Sequence, residues 1–120
     1  MATFLIVDDD QFVSQSVEWL VRDMGHYTLL ATDLAGALLH LKNSPAIDAL
    51  MIDIRLGALA SGGYDVADHA ISLRPALRVL YMSGTPLTPE MATHFVRGGQ
   101  FLEKPYSVQR LERSVNELLH

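Results

Sequence analysis

The sequence predicts an α/β fold in which a parallel sheet carries helices on both faces. Five apolar runs recur about 20 to 30 residues apart along the 120-residue chain. Each run is dense in apolar residues rather than alternating with polar ones, which is typical of strands buried on both faces. A helical pattern separates each run from the next, so parallel connections are available. We therefore expect a repeat of strand and helix.

The apolar runs give the positions of the predicted strands. These are Thr3 to Val7, Tyr27 to Ala31, Ile47 to Ile52, Leu77 to Met82 and Gln100 to Leu102. One connection is unusual, because residues 56–63 are long for a loop and rich in Gly and Ala. We expect this segment to be a mobile surface loop.

Two helices are predicted between the first three strands. The first begins at Asp9 or Asp10 and ends before Gly25, a typical C-terminal capping residue. Its apolar face is formed by Val13, Val17, Leu20, Val21 and Met24. The second helix covers residues 33–42, with Thr32 as its N-cap, and the Asn-Ser-Pro sequence at residues 43–45 stops it.

Three further helices complete the pattern. The third covers residues 64–73, and the fourth has Pro89 in its first turn and reaches about residue 96, before two glycines. The last helix opens after Ser107. Its apolar stripe consists of Val108, Leu111, Val115, Leu118 and Leu119.

Length and composition indicate a single domain over residues 1–120, with no output domain in the chain. A chain of this length that is 49% hydrophobic can build one core but not two ordinary ones. The net charge of −5 argues against binding to nucleic acid, because Lys and Arg are not in excess. The absence of Cys excludes disulfides and thiol chemistry. The first residues do not resemble a signal peptide, and no run is long enough to span a membrane, so we expect a cytoplasmic protein.

Three consecutive carboxylates, Asp8, Asp9 and Asp10, follow the first predicted strand. Two like charges about 4 Å apart repel by roughly 4 kcal/mol at an effective dielectric of 20, so carboxylates clustered at a buried strand end need a cation. A hard, oxygen-seeking ion such as Mg²⁺ fits them best. The alternative is that one Asp caps the first helix and the others are solvated.

Polar residues also follow three other predicted strands. Asp53 comes after the third strand, Ser83 after the fourth and Lys104 after the fifth. Because the carboxyl ends of parallel strands share one edge of the sheet, where ligands bind in such folds, these residues and the acidic run predict one site.

Together these residues resemble the receiver domains of two-component response regulators. The matching features are Asp8-Asp9, Asp53, Ser83 and the signature Phe101-Leu102-Glu103-Lys104-Pro105. The resemblance covers the whole chain and implies a chemotaxis-regulator-like fold of the flavodoxin type. That fold has five parallel strands in the order 2-1-3-4-5, with five helices on both faces.

The resemblance also implies roles for the site residues. Asp53 would be the nucleophile that becomes an aspartyl phosphate. Asp9 would bind Mg²⁺ directly, beside Asp53 and the backbone carbonyl of Arg55. Asp8 would act mainly through bound water. Asp10 matches no required position and is expected to cap the first helix.

The resemblance implies that three further residues would bind the phosphoryl group and carry the conformational change to the surface. Lys104 would hold Asp53 and then the phosphoryl oxygens, and its bond to Pro105 is expected to be cis. Ser83 would hydrogen-bond the phosphoryl group and draw the loop after the fourth strand inward. Phe101 would then swing inward and reshape the face formed by helix 4, strand 5 and helix 5. The alternative for Phe101 is a buried core aromatic.

The expected partners follow from the same resemblance. The phosphoryl donor would be a sensor histidine kinase or a histidine phosphotransfer protein. A downstream protein target would bind the face of helix 4, strand 5 and helix 5. The protein would act as a signalling phosphoacceptor rather than as an enzyme on other substrates, either as a monomer or as a phosphorylation-dependent dimer.

Two other functions compete with this interpretation. A haloacid-dehalogenase-like phosphatase would use Asp8 and Asp10 with Ser83 and Lys104, but it needs a further acidic pair after Lys104 and leaves Asp53 without a role. A receiver fold could also serve as a docking module without phosphorylation. The chain departs from the common family pattern mainly at residues 56–63, which include about two extra residues.

Overall fold

Five parallel strands alternate with five helices along the chain, in a computed structural model that describes residues 1–57 and 62–120. The sheet has the order β2-β1-β3-β4-β5, as the resemblance to receiver domains implies. The elements are β1 (Thr3–Val7), α1 (Gln11–Asp23), β2 (Tyr27–Ala31), α2 (Leu34–Asn43), β3 (Ala49–Asp53), α3 (Gly62–Leu73), β4 (Arg78–Ser83), α4 (Pro89–Ala92), β5 (Gln100–Glu103) and α5 (Val108–Leu119).

The helices divide between the two faces of the sheet and form two apolar layers. On one face α1 and α5 pack with residues such as Val17 and Val115 against Ile6 of β1. On the other face α2 and α3 cover the sheet with residues such as Leu41 and Val66. Because both faces of the sheet are covered, the central strands are apolar on both sides.

The register of the central strands aligns their carboxyl ends. Val7 of β1 lies opposite Ile52 of β3, and Asp53 lies opposite Met82 of β4. The residues that follow β1, β3 and β4 therefore emerge at the same edge of the sheet, where the sequence predicts a site.

Helix α2 begins one residue later than predicted. Asp33, rather than Thr32, is its N-cap, because the Asp33 carboxylate accepts a hydrogen bond from the Gly36 amide at 2.8 Å. Arg74, the residue directly after α3, binds the end of this helix, because its guanidinium donates to the carbonyls of Leu41 and Ser44. Helix α3 starts at Gly62, two residues before its predicted start.

Helix α4 is much shorter than predicted. It ends at Ala92, although the sequence pattern continues to about residue 96. The backbone beyond it forms tight turns, and the Val96 amide donates to the Tyr81 hydroxyl instead of to a helical carbonyl. The helix therefore ends without a helix-breaking residue, and the backbone after it contacts a distant strand.

The predicted apolar stripe of α5 is confirmed for Leu111, Val115 and Leu118, which are buried. Leu119 is half-buried, and Val108 is 61% exposed and lines a surface groove with Trp19 and Tyr106. The prediction of a mobile loop at residues 56–63 falls mainly on residues 58–61, which lie outside the described residues. Among the described helices, none combines the length and the apolarity that crossing a membrane requires.

Candidate functional site

The acidic run after β1 is divided among three different environments. Asp8 is buried, and its Oδ1 accepts a hydrogen bond from the Asp10 amide at 2.9 Å. Asp9 is exposed, and its Oδ2 accepts from the Gly57 amide at 3.1 Å. Asp10 is the N-cap of α1, as predicted, and accepts from the amides of Phe12 and Val13. Only the first two carboxylates are therefore available at the sheet edge.

Asp53, the last residue of β3, completes a group of three carboxylates. One oxygen from each of Asp8, Asp9 and Asp53 lies within 4.8 Å of the other two. Gly63 lets the start of α3 lie against the end of β3, since a Cβ atom there would be 2.3 Å from the Asp53 carbonyl oxygen. Arg55, whose backbone carbonyl is a predicted ligand, is exposed in the turn that follows Asp53.

Lys104 supplies one positive charge to this group. Its Nζ lies 3.5 Å from Oδ2 of Asp8 and 3.5 Å from Oδ2 of Asp53. The Lys104 amide donates to the Ser83 carbonyl at 2.8 Å, so the residue after β5 is attached to the end of β4. The Lys104–Pro105 peptide bond is cis, which confirms that prediction.

The charges of the site do not balance among the described side chains. Burial raises the pKa of Asp8, and hydrogen bonding to the Asp10 amide and the charge of Lys104 oppose the rise. Burial also raises the pKa of Asp53, and Lys104 again opposes it. Three carboxylates thus face one ammonium group, and ionising all three is unfavourable unless another cation binds. The donor set is entirely carboxylate oxygen, which fits a hard divalent cation.

Ser83 and Phe101 lie on the neighbouring strands at the same side of the sheet. Ser83 is buried at the end of β4, and its Oγ accepts a hydrogen bond from the Thr85 amide at 3.0 Å. Phe101 of β5 is half-buried, and its ring lies 6.2 Å from that of Phe95, centroid to centroid. Phe101 therefore touches an aromatic cluster without being fully enclosed by it.

Sequence analysis missed Tyr106 as a neighbour of the site. Burial raises the pKa of the Tyr106 hydroxyl, and the charges of Asp8 and Asp53 raise it further. Its position directly after the Lys-Pro pair is the only signal in the sequence that could have indicated it.

In comparison with known proteins, the chain matches the model of one protein family. The family model of the response regulator receiver domain matches residues 4–116. A response regulator receiver protein from Sinorhizobium medicae WSM419 is 30% identical, with a TM-score of 0.85 over 98% of this chain and 94% of that one. No curated protein matches the chain at a significant level.

Two other solved structures are similar to the chain. NtrX from Brucella abortus in complex with ADP is 30% identical, with a TM-score of 0.84 over 99% of this chain and 26% of that one. The chain thus spans about a quarter of NtrX. A CheY-like receiver domain protein from Methanospirillum hungatei JF-1 has the same fold, with 22% identity and a TM-score of 0.86 over 99% of this chain and 94% of that one. The chain belongs to the response regulator receiver domain family.

Proposed function

We propose that this receiver domain accepts a phosphoryl group on Asp53 from a phosphohistidine in a two-component or phosphorelay system, with Mg²⁺ as the cofactor. One observation carries the proposal: the Lys104 ammonium lies 3.5 Å from Asp53 in a group of three carboxylates that still carries excess negative charge. A nucleophilic carboxylate beside a fixed cation and a site for a second cation is the arrangement that phosphoryl transfer requires.

In the proposed reaction an Asp53 carboxylate oxygen attacks phosphorus. The bond between phosphorus and the donor's imidazole nitrogen breaks, and the nitrogen keeps the electron pair. Lys104 holds the carboxylate before the reaction and a phosphoryl oxygen after it. Asp9, Asp53 and the Arg55 carbonyl would hold Mg²⁺, and Asp8 would act through bound water. When bound, the ion neutralises charge on the transferring phosphoryl oxygens.

The count of formal charges supports this assignment. Asp8, Asp9 and Asp53 contribute three negative charges, whereas Lys104 contributes one positive charge. A divalent cation would make the unmodified site neutral. Phosphorylation would then add roughly 1.5 to 2 negative charges and create a new attraction for nearby hydrogen-bond donors.

Signalling would begin at Ser83, the donor at the end of β4. We propose that its hydroxyl turns to the phosphoryl group and draws the following loop inward, so that Phe101 moves inward in turn. The face formed by α4, β5 and α5 would present the result to a protein target. We further propose a cytoplasmic protein whose residues 1–120 act as a single domain, as a monomer or as a phosphorylation-dependent dimer.

The position of Asp10 favours this function over a haloacid-dehalogenase-like phosphatase. That enzyme would need Asp8 and Asp10 together at the reacting centre, but the Asp10 carboxylate accepts hydrogen bonds from the first amides of α1. A docking module without phosphorylation would not need Lys104 beside Asp53.

Intact-mass analysis after incubation with acetyl phosphate tests the proposal. We expect one phosphoryl group per chain, on Asp53, only when Mg²⁺ is present. Asp53→Asn should abolish the modification. Asp10→Asn is the matched control, because it makes the same chemical change within the acidic run while Asn still caps α1. Equal modification of Asp53→Asn and the wild type would refute the assignment.

A further inference from the structure

The backbone after α4 is wound more tightly than an α-helix. The amides of Thr93, His94 and Phe95 each donate to the carbonyl three residues earlier, at 3.2, 3.0 and 3.2 Å, and Thr93 also keeps the α-helical bond to the Pro89 carbonyl at 3.3 Å. Bonds of the three-residue spacing define a 3₁₀ turn, which commonly tightens the backbone at the end of a helix. Residues 93–96 are called the turn segment here. They differ from a continued α-helix mainly in the carbonyl that accepts a hydrogen bond from each amide.

The Val96 amide would have a different acceptor in each of these two forms. In a continued helix it would donate to the Ala92 carbonyl, but it donates to the Tyr81 hydroxyl at 2.9 Å instead. Tyr81 lies on β4 and is completely buried, so its hydroxyl is a fixed acceptor. The Ala92 carbonyl now accepts from the Phe95 amide. If the segment became α-helical, this carbonyl would accept from the Val96 amide instead.

The ring of Tyr81 also holds the turn segment from the side. The Phe95 ring stacks on it with centroids 4.1 Å apart and an angle of 15° between the planes. Gly99 also lies close to the Tyr81 ring, because a Cβ there would be 2.8 Å from it. Phe95 in turn contacts Phe101. One tyrosine thus connects the end of α4 to the aromatic residue of β5.

A residue suited to end a longer α4 lies six residues beyond Ala92, at Gly98. Gly98 has a φ of +78°, the left-handed conformation that commonly follows the last residue of a helix. A helix continued through residue 97 would end there without any change at Gly98. The rewinding therefore affects a single turn of backbone.

We propose that Tyr81 is a positioning residue that holds the turn segment out of α4, and that losing its hydrogen bond to Val96 lets α4 extend toward Gly98. The output surface would then have two forms, one with a short and one with a long α4. Phosphorylation would favour the long form through movement of Phe101 away from Phe95; this link rests on the proposed function, whereas the hydrogen bond itself does not.

NMR of the unmodified protein tests the role of the hydroxyl independently of Asp53. In Tyr81→Phe we expect the Cα and carbonyl shifts of residues 93–96 to become helical, with the ratio of long to short form rising about fivefold or more. Tyr64→Phe is the matched control, because it removes a hydroxyl from the same aromatic cluster but not the one that binds Val96. Equal shifts in both variants, or a turn segment that loses order in Tyr81→Phe without becoming helical, would overturn the proposal.

Beryllofluoride with Mg²⁺ then tests the link to phosphorylation in the wild type, Tyr81→Phe and Asp53→Asn. We expect the wild-type turn segment to move toward the Tyr81→Phe spectrum and the Asp53→Asn segment to stay unchanged. If acetyl phosphate modifies Asp53 but the wild-type segment does not move, the link to signalling is wrong. If Asp53 is not modified at all, the proposed function fails while the result for unmodified Tyr81→Phe still stands.

Discussion

The Lys104 ammonium lies 3.5 Å from a carboxylate oxygen of Asp53. The same ammonium is 3.5 Å from the buried carboxylate of Asp8, so one positive charge is shared between two negative ones. Since Asp9 adds a third carboxylate, the ionised groups repel one another whenever no divalent cation is bound. Stability without a divalent cation should therefore improve when one of these charges is removed.

Asp53→Asn should raise the thermal midpoint in EDTA by about 4 °C, which corresponds to roughly 1 kcal/mol for a domain of this size. The added stability from millimolar Mg²⁺ should be smaller in this variant than in the wild type, because one carboxylate ligand is lost. Thermal unfolding followed by circular dichroism measures both effects. Asp10→Asn should behave as the wild type does, and a lower midpoint for Asp53→Asn in EDTA would contradict the repulsion argument.

Asp9 and Asp10 should differ sharply in their effect on Mg²⁺ binding. Asp9→Ala should weaken binding by about tenfold or more, equivalent to roughly 1.4 kcal/mol, since it removes an exposed carboxylate of the acidic group. Asp10→Ala should leave the affinity nearly unchanged but cost about 1 kcal/mol of stability through loss of the α1 cap. Isothermal titration and urea unfolding separate the two. If Asp10→Ala binds Mg²⁺ more weakly than Asp9→Ala, the phosphatase-like use of Asp8 and Asp10 gains support.

The position of the acidic group could be predicted because its signal is local. An apolar run that ends in a carboxylate fixes both a strand and its carboxyl end, so the residue pattern alone places Asp8 and Asp53 at one edge of the sheet. The N-cap of α2 could not be chosen from the sequence, because Thr32 and Asp33 both suit that position. In the structure it is the Asp33 carboxylate that accepts from the Gly36 amide.

The end of α4 could not be predicted for a different reason. The acceptor of the Val96 amide is Tyr81, which lies 15 residues earlier on another element. The amino-acid sequence of residues 89–97 does not indicate that contact, because its partner lies outside this segment. Tertiary contacts of this kind override local helix preference. The fold likewise leaves Val108 exposed, although its spacing places it in the apolar stripe of α5.

Alkaline pH should destabilise the protein through Tyr81. Burial raises the pKa of this hydroxyl from 10.0 to about 12. The neutral form is thus favoured in the folded state, so its contribution is complete below pH 10 and is lost as the pH rises toward 12. A difference of two pH units corresponds to roughly 2 to 3 kcal/mol.

Urea unfolding of the wild type and Tyr81→Phe at several pH values measures this loss. The wild type should lose stability relative to Tyr81→Phe between pH 10 and pH 12, whereas the gap between them should stay constant below pH 9.5, about half a unit under the ordinary tyrosine pKa. A gap that does not change across the alkaline range would show that Tyr81 titrates normally.

Ser83→Ala should separate phosphorylation from signalling. The Ser83 hydroxyl oxygen accepts from the Thr85 amide, and its proton is free to be donated to a phosphoryl group on Asp53. A full switch from 1:99 to 99:1 needs about 5.5 kcal/mol, whereas one charge-assisted hydrogen bond supplies roughly 1.5 to 3 kcal/mol. Ser83→Ala should therefore be modified at the wild-type level by acetyl phosphate yet show a reduced response of Phe101 to beryllofluoride, measured by NMR. Ser83→Thr should restore the response, because it returns the hydroxyl. An undiminished response of Phe101 in Ser83→Ala would mean that the signal leaves Asp53 by a route that does not pass through the end of β4.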